Sequence, residues 1–168
     1  MNIVFNKLRN LEDPKIYLKR SLSNPDVLDY SIIKNKQLFD FDQWFENYYE
    51  WLKNNPYAFT IHFKEHYIGN IGIREYDLKK QEAEMFIEIF SPFQNLGNGK
   101  ESLKMFLNMI KELTALKKIT LNVIEYNSKA INLYERFGFK KEGISKKHYL
   151  NNKEYNVIKM STNLQSVS

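Results

Sequence analysis

The fold class is decided by the stretch Glu84-Met85-Phe86-Ile87-Glu88-Ile89-Phe90-Ser91-Pro92-Phe93-Gln94-Asn95-Leu96-Gly97-Asn98-Gly99-Lys100. Its first half, Glu84 to Phe90, is typical of a strand, and its second half is a loop with two glycines. Apolar residues then recur at helical spacing and predict a long amphipathic helix: Leu103, Phe106, Leu107, Ile110 and Leu113. The stretch therefore predicts a strand, a loop and a helix start in direct succession.

This loop has the chemistry of an anion site. The first N–H groups of a helix lack partners inside the helix, and the helix dipole adds partial positive charge at the same end. Glycines at 97 and 99 would allow the backbone to approach a bulky anion closely. The loop thus predicts a phosphate site at the start of the helix.

The glycine spacing alone leaves a second interpretation open. It matches neither the Walker A motif nor the Gly-x-Gly-x-x-Gly dinucleotide fingerprint. A glycine-bearing turn that only caps the helix would have the same local sequence.

The flanking sequence predicts a mixed α/β sheet. An N-terminal strand precedes helices, one of which carries an aromatic stripe from Phe41 to Leu52, begins at an Asp40–Gln43 capping box and ends at Asn54-Asn55-Pro56. The later pattern predicts strands at 57–63, 67–73, 82–90, 119–124, 137–143 and 154–160, a short helix around 130–134, and a turn at Asn151-Asn152. The strand–helix–strand unit around the loop predicts parallel neighbours.

Composition narrows the class of protein. A chain of 168 residues fits one domain, here 1–160, with a loose polar tail at 161–168. No cysteine is present and the three histidines lack ligand spacing, so no metal site is expected. With no apolar run of roughly 20 residues and no signal peptide, we expect a cytoplasmic protein without a membrane partner.

The net charge of +5 fits either ordinary surface lysines or an anionic partner. The basic residues are scattered rather than grouped in a stripe, so we expect no nucleic-acid partner.

A second segment follows the strand at 119–124: Asn127-Ser128-Lys129-Ala130-Ile131-Asn132-Leu133-Tyr134-Glu135-Arg136-Phe137-Gly138-Phe139. Asn127 suits a helix N-cap, and Gly138 suits a left-handed helix end. Tyr134 lies seven residues after Asn127, two turns along nearly the same face. Taken alone, a tyrosine at such a position more often packs in the core or lies on the surface.

The two segments together resemble the GNAT superfamily of N-acetyltransferases. Gln94-x-x-Gly97-x-Gly99 resembles the family's pyrophosphate-binding signature, and the second segment matches the family spacing at Asn127, Ala130, Tyr134, Gly138 and Phe139. The resemblance covers roughly residues 57–160 and is closest to the branch of spermidine and ribosomal-protein N-terminal acetyltransferases. It implies the GNAT fold, a mixed, mostly antiparallel sheet flanked by helices, in which strands 84–90 and 119–124 form a splayed parallel pair that holds acetyl-CoA.

The resemblance also implies which residues bind this co-substrate. The strand backbone at Ile87 and Ile89 would hold the pantetheine arm. The loop and the second helix would complete the site with Gln94, Asn95, Leu96, Gly97, Asn98, Gly99, Lys100, Asn127 and Tyr134.

The implied reaction is attack of a neutral amine on the acetyl thioester in a ternary complex. An alkyl ammonium has a pKa of about 10 and must first lose a proton, for which Glu84 is the candidate base. Glu88 has the same strand parity and is the alternative. An amide near Ile89 would stabilise the developing oxyanion, and Tyr134 would protonate the departing thiolate as the general acid.

The acceptor stays open at this point. The primary amine of a small molecule is expected, with a nucleotide-linked amino sugar or a protein N-terminus as alternatives. A non-catalytic CoA-binding module is the alternative from another class, and a homo-oligomer is compatible with either.

Overall fold

The computed structural model describes residues 2–8, 15, 18–19, 40–150 and 153–166. Within these ranges, seven strands and three α-helices form one sheet with helices on both faces. The strands are β1 (Ile3–Asn6), β2 (Ala58–Phe63), β3 (His66–Asp77), β4 (Glu82–Ile89), β5 (Lys118–Ile124), β6 (Lys140–Leu150) and β7 (Lys153–Asn163). The helices are α1 (Phe41–Asn54), α2 (Asn98–Leu113) and α3 (Ser128–Arg136).

The sheet is mixed, and its strand order is β1-β2-β3-β4-β5-β7-β6. Every neighbouring pair is antiparallel except β4 and β5, which are parallel and joined through α2. This confirms the predicted fold class, including the parallel pair in the middle of the sheet. The last strand, β7, lies between β5 and β6 and hydrogen-bonds to both.

Helix α1 begins and ends at residues that the local sequence marks. The Asp40 side chain accepts a hydrogen bond from the Gln43 N–H at 3.0 Å, which satisfies one of the free amides of the first turn. The helix ends where the Asn55 N–H returns to the Trp51 carbonyl, just before Pro56. Both ends therefore agree with the prediction from the sequence.

Two apolar clusters lie on opposite faces of the sheet, because side chains alternate along each strand. On one face α2 buries Leu103, Phe106, Leu107 and Ile110 against the central strands. On the other face α1 buries Phe45, Tyr48 and Leu52. Strand β4 serves both clusters, since Met85 packs on the α2 face while Phe86 packs on the α1 face.

The C-terminal segment differs from the prediction. Residues expected to form a loose tail belong to β7 as far as Asn163, and a short 3₁₀ turn follows at Leu164–Ser166. Leu164 is fully buried in the α2-face cluster, and its N–H donates to the Lys117 carbonyl at 2.8 Å. The polar composition misled the prediction because backbone pairing with β5 and the burial of Leu164 fix the segment. The expected turn at Asn151-Asn152 lies outside the described residues.

Candidate active site

The site is built where two parallel strands separate. Strands β4 and β5 pair only through Glu82–Lys118, Ala83–Ile119 and Glu84–Thr120. Beyond Glu84 each strand continues without the other: β4 keeps β3 as its neighbour and β5 keeps β7. A gap therefore opens between the two strands in the middle of the sheet.

The backbone of β4 faces this gap at Ile87 and Ile89. The Phe90 N–H donates to the Ile68 carbonyl of the β3 side at 2.9 Å. Because backbone groups of successive residues point to opposite edges of a strand, the polar groups of Ile89 and Ile87 point to the other edge. Both residues that the sequence assigned to the pantetheine arm thus present their amides to the gap.

The loop after β4 forms a short 3₁₀ turn, Ser91–Phe93, and then enters α2 through left-handed residues. Asn95 has φ 60° and Gly97 has φ 84°, and Gly97 is the N-cap of α2. The first helical bond is donated by Glu101 to the Gly97 carbonyl at 3.1 Å. The amides of Asn98, Gly99 and Lys100 therefore precede the bonded turns and are available to an anion.

Two predicted ligands use their side chains inside the protein. The Gln94 amide nitrogen donates to the Ile89 carbonyl at 2.8 Å, and the Asn98 amide nitrogen donates to the Phe93 carbonyl at 2.9 Å. Asn98 is buried, whereas Leu96 is 60% exposed. These two hydrogen bonds tie the loop to the end of β4 and to the 3₁₀ turn, and so fix its shape.

Helix α3 lies beside this loop. The Lys129 ammonium donates to the Asn95 side chain at 3.1 Å, and the space next to Gly99 is bounded by Ile89 and Leu133. Sequence reasoning missed Lys129, which places a positive charge at the loop. Its position in the first turn of α3, two residues after Asn127, was the available signal.

The ends of α3 agree with the prediction. Asn127 caps the helix by accepting from the Ala130 N–H at 3.1 Å, so its side chain is occupied. At the other end Gly138 has φ 80°, and the Phe139 N–H donates to the Tyr134 carbonyl at 3.1 Å. This closing turn holds the backbone of Tyr134 in place.

Tyr134 is buried in the α2-face cluster, with its ring 5.8 Å from that of Phe139. Burial raises the pKa of its phenol to about 12. Among the described residues, no group forms a hydrogen bond with its hydroxyl. The side chain is therefore a protonated donor without a partner in the described part of the chain.

Glu84 stands where the gap begins, on the α1 face. One carboxylate oxygen accepts from the Asn122 side chain of β5 at 3.0 Å, and the other lies 4.0 Å from the Arg74 guanidinium. Its side chain is 27% exposed. Asn122 therefore links the predicted base to the opposite strand.

Glu88 has the same parity but a different environment. One of its oxygens accepts from the Tyr48 hydroxyl at 2.8 Å and from the Asn70 side chain at 3.2 Å. Burial raises the pKa of Glu88, while these two hydrogen bonds and the charge of Arg74 act in the opposite direction. Sequence reasoning did not identify Tyr48 or Asn70 as its partners.

The strand behind the gap approaches β4 closely. A side-chain carbon added to Gly69 of β3 would lie 2.0 Å from the Glu88 carbonyl oxygen and 3.1 Å from the Ile89 Cα. Only glycine fits at this position without displacing one of the strands.

No group of three or more His, Cys, Asp or Glu side chains that could hold a metal ion occurs among the described residues. Nor does any helix in the described part of the chain have the length and apolar character needed to cross a membrane.

Comparison with known proteins assigns the family. Residues 3–140 match the family described as acetyltransferase (GNAT) domain. An uncharacterized SPbeta prophage-derived N-acetyltransferase of Bacillus subtilis is 28% identical over 123 residues, 70% of each chain. The spermine/spermidine N(1)-acetyltransferase of B. subtilis is 36% identical over 72 residues, which cover 41% of this chain and 47% of that relative.

A solved structure supports the same fold. The crystal structure of spermidine N-acetyltransferase from Vibrio cholerae, in complex with CoA and spermine, superposes with a TM-score of 0.79 at 23% identity. The superposition covers 97% of this chain and 96% of that one. The chain therefore belongs to the GNAT family and is an acetyl-CoA-dependent N-acetyltransferase.

Proposed function

We propose that the protein transfers the acetyl group of acetyl-CoA to the primary amine of a small molecule, by direct attack within a ternary complex. The observation that carries this proposal is the gap beyond Glu84 and Thr120, together with the loop after β4 that leads to the α2 amides without helical partners. A strand edge with free amides and an anion cradle at its end suit a long ligand with a diphosphate.

Acetyl-CoA supplies the activated acetyl group as its thioester. The amides of Asn98, Gly99 and Lys100 bind the diphosphate, and the nearby Lys129 adds positive charge. The amides of Ile87 and Ile89 hold the pantetheine arm along β4, because they face the gap.

Two side chains on opposite faces of the sheet handle the protons. Glu84 removes a proton from the acceptor ammonium, and Asn122 holds its carboxylate in place. Tyr134 donates a proton to the departing thiolate, since its phenol, whose pKa burial raises to about 12, is protonated at neutral pH. One of the β4 amides that face the gap polarises the thioester carbonyl.

Relatives support an amine acceptor. Two of them are named as acetyltransferases of spermine or spermidine, which makes polyamines the first acceptors to test. The net charge of +5 opposes long-range attraction of such cations, so amino sugars and peptide N-termini belong in the same panel.

The function is tested by thiol release from acetyl-CoA across polyamines, amino sugars and peptides. We expect Tyr134→Phe to lower kcat by about 100-fold, as loss of a general acid typically does, with little change in acetyl-CoA affinity measured by calorimetry. Tyr155→Phe is the control, because the Tyr155 ring of β7 packs on Tyr126 and has no role in the proposed mechanism. Unchanged kcat in Tyr134→Phe would remove Tyr134 from the mechanism, and no thiol release with any amine would refute the proposed function.

A further inference from the structure

Glu88 is a carboxylate that the proposed chemistry does not use. It lies four residues after Glu84 on the same face of β4, a separation of about 13 Å along a strand. It is only partly exposed and packs against α1 through Tyr48. A carboxylate in such a position is costly unless hydrogen bonds or an opposite charge compensate for it.

Two elements, α1 and β3, hold this carboxylate in one position. The Tyr48 hydroxyl of α1 donates to Glu88 Oε2 at 2.8 Å, and the Asn70 amide of β3 donates to the same oxygen at 3.2 Å. Asn70 is itself fixed, because the Tyr67 hydroxyl donates to its side-chain oxygen at 2.6 Å. Both donors to Glu88 therefore converge on one carboxylate oxygen.

The second oxygen, Oε1, has no hydrogen-bond or ion-pair partner among the described residues. The buried polar atoms without a partner in those ranges do not include Oε1. An atom that has no partner and is not buried is exposed, so solvent can reach Oε1. One oxygen is thus held by the protein, and the other is open to a ligand.

The charge of Arg74 acts on Glu88, but this guanidinium is shared with other groups. Arg74 lies 4.0 Å from Glu84 and stacks over the Trp51 and Phe86 rings. His62 stacks on Tyr67, and burial lowers its pKa, which favours its neutral form.

Tyr48 and Tyr67 are tyrosines and Glu84 is a second carboxylate, so none of the three can carry positive charge. Burial and Glu88 raise the pKa of Tyr48 well above its usual range, which keeps its phenol neutral. The local balance of charge in the described part of the chain therefore favours a bound cation.

We propose that Glu88 is a specificity residue that binds a second, positively charged nitrogen of the acceptor through Oε1, with Tyr48 and Asn70 as its positioning residues. This rests on the proposed amine acetylation, in which Glu84 serves the reacting nitrogen. Two carboxylates on one strand face then select acceptors that carry two separated cationic groups.

The test compares straight-chain diamines with monoamines of the same length. In Glu88→Gln we expect the KM of the preferred diamine to rise about tenfold, the equivalent of one lost charged contact, and to approach that of the monoamine. We expect kcat and the KM of acetyl-CoA to change little. Glu112→Gln, an exposed position near the far end of α2, is the matched control.

Two results would overturn the proposal: an unchanged diamine-to-monoamine KM ratio in Glu88→Gln, or an equal loss of kcat for both acceptors. Calorimetry of diamine binding to the CoA-saturated protein separates this inference from the proposed function. Binding that depends on Glu88 without any turnover would support the inference and refute the function. Binding that is indifferent to Glu88 would refute the inference alone.

The variant Tyr48→Phe tests whether Tyr48 positions Glu88. Removal of the hydroxyl raises the pKa of Glu88, because it removes a hydrogen bond that favours the carboxylate. The KM of the diamine should therefore begin to rise at a higher pH than in the wild type as the pH is lowered. At pH values above this point, KM should return towards the wild-type value. Tyr49→Phe, the next residue of α1, should leave this profile unchanged. A KM that is raised equally at every pH in Tyr48→Phe would indicate a packing defect and would contradict the positioning role.

Discussion

Two glutamates on one face of β4 differ because of what surrounds them. Glu84 meets one neutral amide and stands near a guanidinium at the point where the strands separate. Glu88 is held by a tyrosine and an asparagine from elements distant in sequence. The strand parity shared by both therefore says nothing about which one takes a proton.

The role of Glu84 gives a prediction at this scale. We expect Glu84→Gln to lower kcat by about 100-fold, because an amide cannot accept the acceptor's proton, with the KM of acetyl-CoA nearly unchanged. Steady-state kinetics on a confirmed acceptor measures both. Glu75→Gln is the matched control, since Glu75 pairs with Glu84 across β3 and β4 and is exposed. A normal kcat in Glu84→Gln would exclude Glu84 as the base.

The sequence predicted single residues well where a local motif fixes them. Asn127 and Gly138 flank α3 as expected, because capping depends on residues a few positions apart. The contact between Tyr48 and Glu88 spans 40 positions, and the contact between Asn70 and Glu88 spans 18. Such contacts depend on strand register and helix placement, which no local pattern specifies.

At the scale of elements, the loop before α2 joins strand, helix and ligand site. The sequence located the helix by its apolar positions from Leu103 onward, whereas the helix begins at Asn98. Its first turn is polar and contains a glycine, so hydrophobic periodicity could not mark its start. Part of the predicted loop is therefore the first turn of the helix, which brings its free amides to the site.

Gly97 carries the element-scale prediction. Its φ of 84° is unfavourable for a β-branched residue, and the position is exposed. We expect Gly97→Val to weaken acetyl-CoA binding by about tenfold, because about 1–2 kcal/mol of left-handed strain would distort the cradle. Calorimetry with acetyl-CoA measures the change.

Gly97→Asn is the matched control for that variant, because asparagine tolerates left-handed backbone and should bind acetyl-CoA more tightly than Gly97→Val. Equal, wild-type affinity in both variants would count against this loop as the diphosphate site.

Strand β6 shows where periodicity fails. The sequence predicted an end at Gly143, but the strand continues to Leu150 through two register shifts. The segment is exposed at nearly every position, so polar and apolar residues do not alternate along it. Pairing with β7, rather than its own pattern, keeps this segment extended.

For the whole molecule, the order of strands does not follow from the hydrophobic pattern of the sequence. Neighbouring strands along the chain usually pair, yet β7 inserts between β5 and β6. The predicted parallel pair followed from the strand–helix–strand unit, which constrains handedness and neighbours strongly. No comparable rule placed the final strand at the centre of the C-terminal half.

The buried C-terminal segment gives the whole-molecule prediction. We expect Leu164→Ala to lower the free energy of unfolding by about 2–5 kcal/mol, because Leu164 is fully buried against the α2-face cluster. Denaturant-induced unfolding measures the change. Leu113→Ala, at a leucine that is 74% exposed, is the matched control and should have little effect. Equal stability of both variants would contradict the anchoring role of the segment.

The glycine behind β4 also bears on substrate access. Gly69 never faces the gap, but any larger side chain there would push the Glu88 carbonyl and the Ile89 Cα away from β3. That displacement would move β4 towards β5 and narrow the gap between the two strands. A larger residue at position 69 would thus restrict entry of the thioester, although residue 69 itself does not touch it.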